Sequence, residues 1–416
     1  MKFKYVFYWF ILLCSVRFFD LKFFGEFLVM NFTIIGGLSL LMFLIYHQIF
    51  PNKKVEKSPQ DLPLVFLYIS LFTSTLGSYY FNGQPFFYSL ISSRILLYYL
   101  FYLALHIIRP PTKMVLNSIL VIAIAYTVIF LVQFIIYPIE LVFSGMTADR
   151  AKVRIRMPGR SFAFYVSIWA FFILIIKSNL NKIKPTLLYL GTIMTVFLGV
   201  TRSIIATILG TLLIMLQKYQ RKNIVLLIVP GIFAIFIFFT IINFIDPKLV
   251  SNIVTVSQND KQQGDDVYRV LAFDHYTAEL VARPLTLIFG NGNPTGGENF
   301  SSAYSIKSKE EADMGFYLDD LGYFGTLYRY GIFYLIFVIM MLYKVYKWSK
   351  KSSMYHPLAY TPYFFLALFI LSFIIDFYGC NTDSIVLICL SFYLIDTFKN
   401  PSARIKDFSR KQELTA

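Results

Sequence analysis

Residues 115–137 read VLNSILVIAIAYTVIFLVQFIIY, 23 consecutive residues without a charge. A hydrocarbon core about 30 Å thick asks for about 20 apolar residues in a helix rising 1.5 Å per residue, and this stretch meets that demand alone. Runs of about 17–23 apolar residues recur along the chain. Of its 416 residues 57% are hydrophobic and only 15% charged, and the mean hydropathy is +0.63. A soluble domain carries about a quarter charged residues, so a soluble globular protein is excluded. Outward from 115–137, helices are expected at 5–19, 28–50, 62–81, 86–108, 161–177, 186–200, 203–217, 224–245, 322–343, 358–376 and 384–398, an all-α polytopic membrane protein of about twelve spans.

Charge in the connectors tests that segmentation. Every second connector is basic: Lys53, Lys54 and Lys57; Arg109 and Lys113; Lys177, Lys182 and Lys184; Lys218, Arg221 and Lys222; Lys344, Lys347, Lys350 and Lys351; then Lys399 to Lys411 in the tail. Cytoplasmic loops carry the Lys/Arg excess, so these segments and both termini are expected inside a cytoplasmic membrane. The formal charge of +15 is thereby explained without nucleic acid, for which no basic, aromatic-interleaved module exists. Lys2 and Lys4 before an apolar run mimic a signal peptide, but no small-x-small cleavage site follows, and the run is expected to stay as the first helix. Cys14, Cys380 and Cys389 have no metal-ligand spacing and form no disulfide framework.

The expected organisation is nine spans over 1–245 with a basic outward loop at 138–160, a large outward loop at 246–321, three spans over 322–398, and a basic tail at 399–416. The large loop holds an amphipathic helix at 266–282 closed by Arg283-Pro284, an apolar run from Leu285 to Phe289, and the turn Gly290-Asn291-Gly292-Asn293-Pro294. The polar, Ser-rich stretch Asn299 to Lys309 is expected to be a mobile flap.

Several charges break the orientation pattern. Arg150, Lys152, Arg154 and Arg156 alternate with Ala151, Val153, Ile155 and Met157, and Arg160 follows. An extended chain of that period sets all the cations on one face. Five cations on the outward side oppose the inside rule. They suit a lipid-linked phosphate or pyrophosphate, to which Arg offers bidentate charge-assisted hydrogen bonds; anionic headgroups are the plainer partner. Arg94 lies about eight residues into the span 86–108 and Arg329 similarly into 322–343. Each needs a polar interior, a carboxylate such as Asp376, or room to reach outward. Arg202 stands at an outward turn between helices. Arg269 and Arg283 flank the amphipathic stretch, and His275 is the one histidine on the outward side. Asp319 and Asp320 precede the span 322–343; a carboxylate there can take a proton from a sugar hydroxyl or cap the helix. The adjacent pairs 265–266 and 319–320 seldom converge on one ion, and neither a metal nor a cofactor is expected.

Three stretches resemble the O-antigen polymerase/ligase superfamily, the Wzy-type repeat-unit polymerases in particular: Thr201-Arg202-Ser203; Tyr268-Arg269 through Arg283-Pro284-Leu285 to Gly290-Asn291-Gly292; and Asp320-Leu321-Gly322-Tyr323 through Tyr330-Gly331. Helix count and loop position agree over nearly the whole chain. Ligase members have a His before the return into the membrane, and 299–322 contains none, which favours polymerase.

The resemblance implies a metal-independent glycosyltransferase acting on undecaprenyl-pyrophosphate-linked glycan units at the outer face, with membrane lipid around it and a chain-length regulator as a further allowed partner. It implies Arg150, Arg154, Arg156, Arg160 and Arg269 as pyrophosphate or glycan contacts, with Arg202, Arg283, Arg94 and Arg329 in support. Asp320 is the first choice of general base and His275 the second. The rival readings are a ligase with the same donor, a precursor transporter or flippase, and a non-enzymatic scaffold.

Overall fold

The computed structural model describes residues 2–49, 61–136, 139–143, 157–176, 183–198, 202–219, 265–295, 302–353, 356–374 and 381–398. Among these residues the chain is all helical, and its one β-bridge joins Leu21 to Val142. The helices are α1 (Lys2–Ser15), α2 (Glu26–Ile49), α3 (Asp61–Asn82), α4 (Phe86–Ser92), α5 (Leu100–Ile108), α6 (Thr112–Ile136), α7 (Arg160–Ile175), α8 (Ile183–Leu198) and α9 (Arg202–Tyr219). After them come α10 (Asp265–Ala282), α11 (Thr286–Phe289), α12 (Ala303–Asp313), α13 (Gly322–Tyr330), α14 (Ile332–Lys351), α15 (Thr361–Leu371) and α16 (Thr382–Thr397).

The α6 helix shows which solvent this fold expects. Its exposed stripe is Val121, Ile124, Val128, Val132 and Ile135, while Ser118, Tyr126, Thr127 and Gln133 are buried on the opposite face. Spacings of three and four residues define one side of a helix, so an apolar stripe looks out, while Ser118, Thr127 and Gln133 are turned inward among Ile119, Ile122, Ala123 and Phe130. That arrangement is stable where lipid surrounds the protein and polar groups must find partners inside it. Among the described residues four helices are long and apolar enough to cross a membrane: α2, α3, α6 and α14. Counting the bent pair of α4 with the segment Arg94–Ile108 gives five. The other expected spans are apolar helices of at most 18 residues, apart from 224–245, which lies outside the described residues.

At the centre stands α16, buried continuously from Thr382 to Leu394, with α1, α5, α6 and α7 around it. Its N-terminus ties two helices together. Asp383 accepts hydrogen bonds from the N–H groups of Gly159 (3.1 Å) and Ser161 (3.2 Å), the otherwise unpaired donors that open α7.

Two expected spans are broken. The stretch 86–108 bends by 59° between α4 and the residues from Arg94 on, which run as a 3-10 helix over Arg94–Tyr99. The stretch 322–343 is interrupted at Gly331, whose φ of +72° is left-handed and whose Cβ, if present, would lie 2.3 Å from the Ile288 carbonyl oxygen. The membrane-length helix is therefore α14, running on to Lys351, and its lysines extend it because Lys is a good helix former whose stem covers apolar surface. The first helix likewise ends at Ser15, short of 19.

Candidate functional site

The long loop is built rather than slack. Ala272, Tyr276 and Leu280, one face of α10, pack on Leu318 and Tyr328 as a small core of their own. Residues 303–313, in the stretch expected to be a flap, form α12. Ser302 opens it with a capping box: its hydroxyl accepts from the Ser305 N–H, and the Ser305 hydroxyl accepts from the Ser302 N–H. The Gly-Asn turn after α11 threads between α3 and α13. The Asn291 and Gly292 N–H groups donate to the Tyr328 and Arg329 carbonyls at 2.9 and 2.8 Å. Buried Gln84 holds the other side. Its amide donates to the Asn293 carbonyl (2.8 Å) and to Ser89, and its oxygen accepts from the Thr295 N–H (3.1 Å) and the Ser302 hydroxyl.

Two faces of α10 carry chemistry. On one, a groove of about 460 Å³ is lined by Arg269, Phe273, Asp320, Leu321, Tyr323, Phe324, Phe373 and Ile374. Arg269 comes from the first turns of α10 and Asp320 from the 3-10 turn Leu318–Leu321. Gly322 brings the far wall close: the Tyr323 N–H donates to the Ser372 carbonyl (2.8 Å). A Cβ on Gly322 would sit 2.4 Å from that same oxygen, on a backbone of φ +53°. The groove thus combines a guanidinium, a carboxylate and aromatic walls, a set able to hold an anion, accept a proton and pack against a sugar ring.

The second face is a charged node. His275 Nε2 lies 3.1 Å from Glu311 and 3.7 Å from Glu279. Lys307 pairs with Glu279 and stands 3.5 Å from Glu311. Tyr276 donates to Glu311 (3.1 Å) and Tyr328 donates to Glu279. Burial pushes the Glu279 carboxyl up, but hydrogen bonds from Lys307 and Tyr328 and the charges of Lys307 and His275 outweigh it and hold the group below its usual range. Tyr276 is pushed well up by burial and then by Glu311. The ligand atoms of His275, Glu279 and Glu311 lie within 4.8 Å of one another, a spacing that suits a metal ion, and the Lys307 ammonium supplies the positive charge there.

The expected site residues fall into separate places. Arg269 and Asp320 share the groove. His275 belongs to the node and is not among the groove's lining residues. Arg329 pairs with Asp319, a carboxylate partner of the kind expected for it. Arg283 reaches from the end of α10 to the Phe81 carbonyl (3.1 Å). Arg94 stands at the bend after α4, donating to the Ile91 carbonyl (3.0 Å), with its Nε buried and unpartnered. Arg160 opens α7 beside the Asp383 cap. Arg202 opens α9. Arg150, Arg154, Arg156 and Asp376 lie outside the described residues.

Gln84, Glu279, Lys307, Glu311 and Asp383 carry the architecture without having been singled out from sequence. Gln84 had one visible signal, a lone amide between Gly83 and Pro85. Comparison with known proteins finds no match, whether to a family model, a curated protein or a solved structure.

Proposed function

We propose that this chain is a membrane glycosyltransferase that joins polyprenyl-pyrophosphate-linked oligosaccharide repeat units at the outer face of a cytoplasmic membrane. The full topology proposed with it has about twelve spans and both termini inside. One observation carries the reading: Arg269 and Asp320, the cation and the carboxylate with the strongest sequence case in the long loop, line a single groove with Tyr323 and Phe324.

In the proposed reaction an acceptor sugar hydroxyl attacks the anomeric carbon of the donor glycan. The new glycosidic C–O bond forms as the anomeric carbon–oxygen bond to pyrophosphate breaks. The hydroxyl proton passes to the Asp320 carboxylate, and the electron pair leaves on lipid pyrophosphate. Charge developing on that leaving group is what preorganised cations stabilise best. Arg269 is the groove's own cation, and the alternating face of Arg150, Arg154 and Arg156 is proposed to reach the same phosphates.

The test is complementation of a knockout strain, read by polysaccharide gel at matched membrane expression. Single repeat units in the knockout, a ladder restored by wild type, and none from Arg269→Ala or Asp320→Asn are the expected results. Full-length polymer that fails to reach its acceptor would mean a ligase. Repeat units accumulating on the cytoplasmic side would mean a flippase. The bend at Ser92–Arg94, with a buried guanidinium nitrogen beside it, is the observation that favours that transporter reading, since transporters build sites at broken helices.

A further inference from the structure

A second cavity, of about 980 Å³, opens between α9, α14 and α15. It includes the last turns of α9 and α14, which carry Lys218 and Lys350, and runs along α15 to Phe369. Leu342, Leu366 and Phe369 are among its apolar walls, while Lys218, Lys350 and Ser352 stand among its polar lining. The lysines are held in an unusual way. The Lys218 ammonium lies 5.7 Å from the Tyr219 ring centre and 5.5 Å from that of Tyr363, and Lys350 lies 4.6 Å from Tyr346. Neither has a carboxylate partner among the described residues, in contrast to Lys22 and Lys307. Ring faces attract an ammonium more weakly than a carboxylate does, so both charges remain available to an anion.

An apolar slot on a membrane protein, with two uncompensated cations at one end, matches one kind of molecule. We propose that this cavity binds an anionic glycerophospholipid, one acyl chain lying along the apolar walls and the phosphate meeting Lys218 and Lys350. Basic pockets between membrane helices on the cytoplasmic side select anionic headgroups in this way, and the cavity is at the upper end of the range of about 300–1,000 Å³ usual for ligand clefts. A soluble anion would use the lysines and leave the apolar walls wet. A neutral lipid would use the walls and leave both ammoniums unmatched. The proposal rests on the membrane-spanning character of the chain and is independent of the glycosyltransferase reading.

The test is native mass spectrometry of the full chain, delipidated in neutral detergent and then offered phosphatidylglycerol or phosphatidylcholine with the same acyl chains. One phosphatidylglycerol per chain should be retained in preference to phosphatidylcholine. The double variant Lys218→Gln/Lys350→Gln should lower that retention about tenfold or more, two headgroup contacts being lost. Leu342→Trp, which fills the slot and leaves both charges, should lower it as well, while Lys113→Gln, a basic residue outside the cavity, should not. Equal retention of the two lipids overturns the proposal. So does an unchanged adduct in the double variant, or absence of any adduct in wild-type protein that melts cooperatively. A complementation result for Arg269 or Asp320 leaves each of these outcomes as it stands.

Discussion

The Asp383 carboxylate and the backbone N–H of Ser161 are hydrogen-bonded at 3.2 Å although 222 residues separate them. The same oxygen takes the Gly159 N–H, and the other oxygen takes the N–H of Ser384. One buried side chain therefore caps α7 while steadying the start of α16, and a hydroxyl pair, Ser161 and Ser384 at 2.7 Å, closes the junction. Replacing a capping Asp costs about 0.5–2 kcal/mol, and leaving buried donors unpaired adds about 1–3 kcal/mol. Asp383→Ala should lower the thermal unfolding midpoint of detergent-solubilised protein by several degrees. Asp383→Asn, which keeps one acceptor oxygen, should lower it by less, and equal losses would argue that charge alone matters.

Gln84 serves the long loop as Asp383 serves the bundle. In Gln84→Leu the Asn293 carbonyl keeps the Ser92 hydroxyl (2.7 Å) but loses the Gln84 amide, and the buried Thr295 N–H loses the Gln84 oxygen. Each hydrogen bond lost costs about 0.5–1.5 kcal/mol, and together these losses loosen the turn 290–295 on α3. Limited proteolysis of the protein in sealed vesicles should then cut the long loop at lower protease concentration than in wild type. Unchanged cleavage would show that the backbone pairing to Tyr328 and Arg329 suffices.

Gly322 sets the depth of the Arg269–Asp320 groove. Gly322→Ala places a methyl carbon 2.4 Å from the Ser372 oxygen on a backbone of φ +53°, so Phe373 and Ile374 must move away. Strain at such a position costs on the order of 1–3 kcal/mol. The expected phenotype is loss of polymer at near-normal membrane expression. Wild-type activity from this variant would place the chemistry outside the groove.

The charged node should make the protein acid-sensitive. Glu279 is held below its ordinary value of 4.5, so the folded state binds its proton less readily than the unfolded state does. Its stabilising contribution is complete above that ordinary value and is lost as the pH falls through the lower folded one. Unfolding midpoints recorded between about pH 6 and pH 3 should drop at the acid end. Lys307→Met removes the strongest cause of the depression and should flatten that drop. An unchanged slope would assign the acid sensitivity to other carboxylates.

What could be read from sequence follows from what periodicity and charge detect. Residues 115–137 stand nearly as expected because an uncharged run of membrane length reports a helix directly, and 266–282 because hydrophobic spacing reports which face is buried. The stretch 322–343 misled because Tyr330-Gly331-Ile332 is as apolar as a continuous span, and hydropathy is blind to a left-handed φ. Of the stretch Asn299 to Lys309, expected to be a flap, residues 303–309 begin α12, and 299–301 lie outside the described residues. The stretch is polar, but Ser302 and Ser305 form a capping signal that composition hides. Arg269 and Asp320 could each be singled out for charge in an outward loop, yet their sharing of one groove depends on how α10 packs against Leu318 and Tyr328, a long-range fact. His275 stood out by rarity, and rarity does not distinguish a base from a member of an ion-pair network.

The outward apolar stripe of α6 also bears on how this protein is assembled. Its outward stripe of Val121, Ile124, Val128, Val132 and Ile135 lets the helix partition into lipid as soon as it leaves the ribosome. Its inward Ser118, Thr127 and Gln133 find hydrogen-bond partners in chain already made or made next: Tyr8 of α1, carbonyls of α6 itself, and the backbone of Ile139, Leu141 and Val142. Ser118 and Thr127 also back-bond to their own helix, at 2.8 Å from the Val115 and Ala123 carbonyls, and so are satisfied before any later helix arrives. Such self-pairing lets an unfinished bundle wait in the bilayer without recruiting a wrong partner.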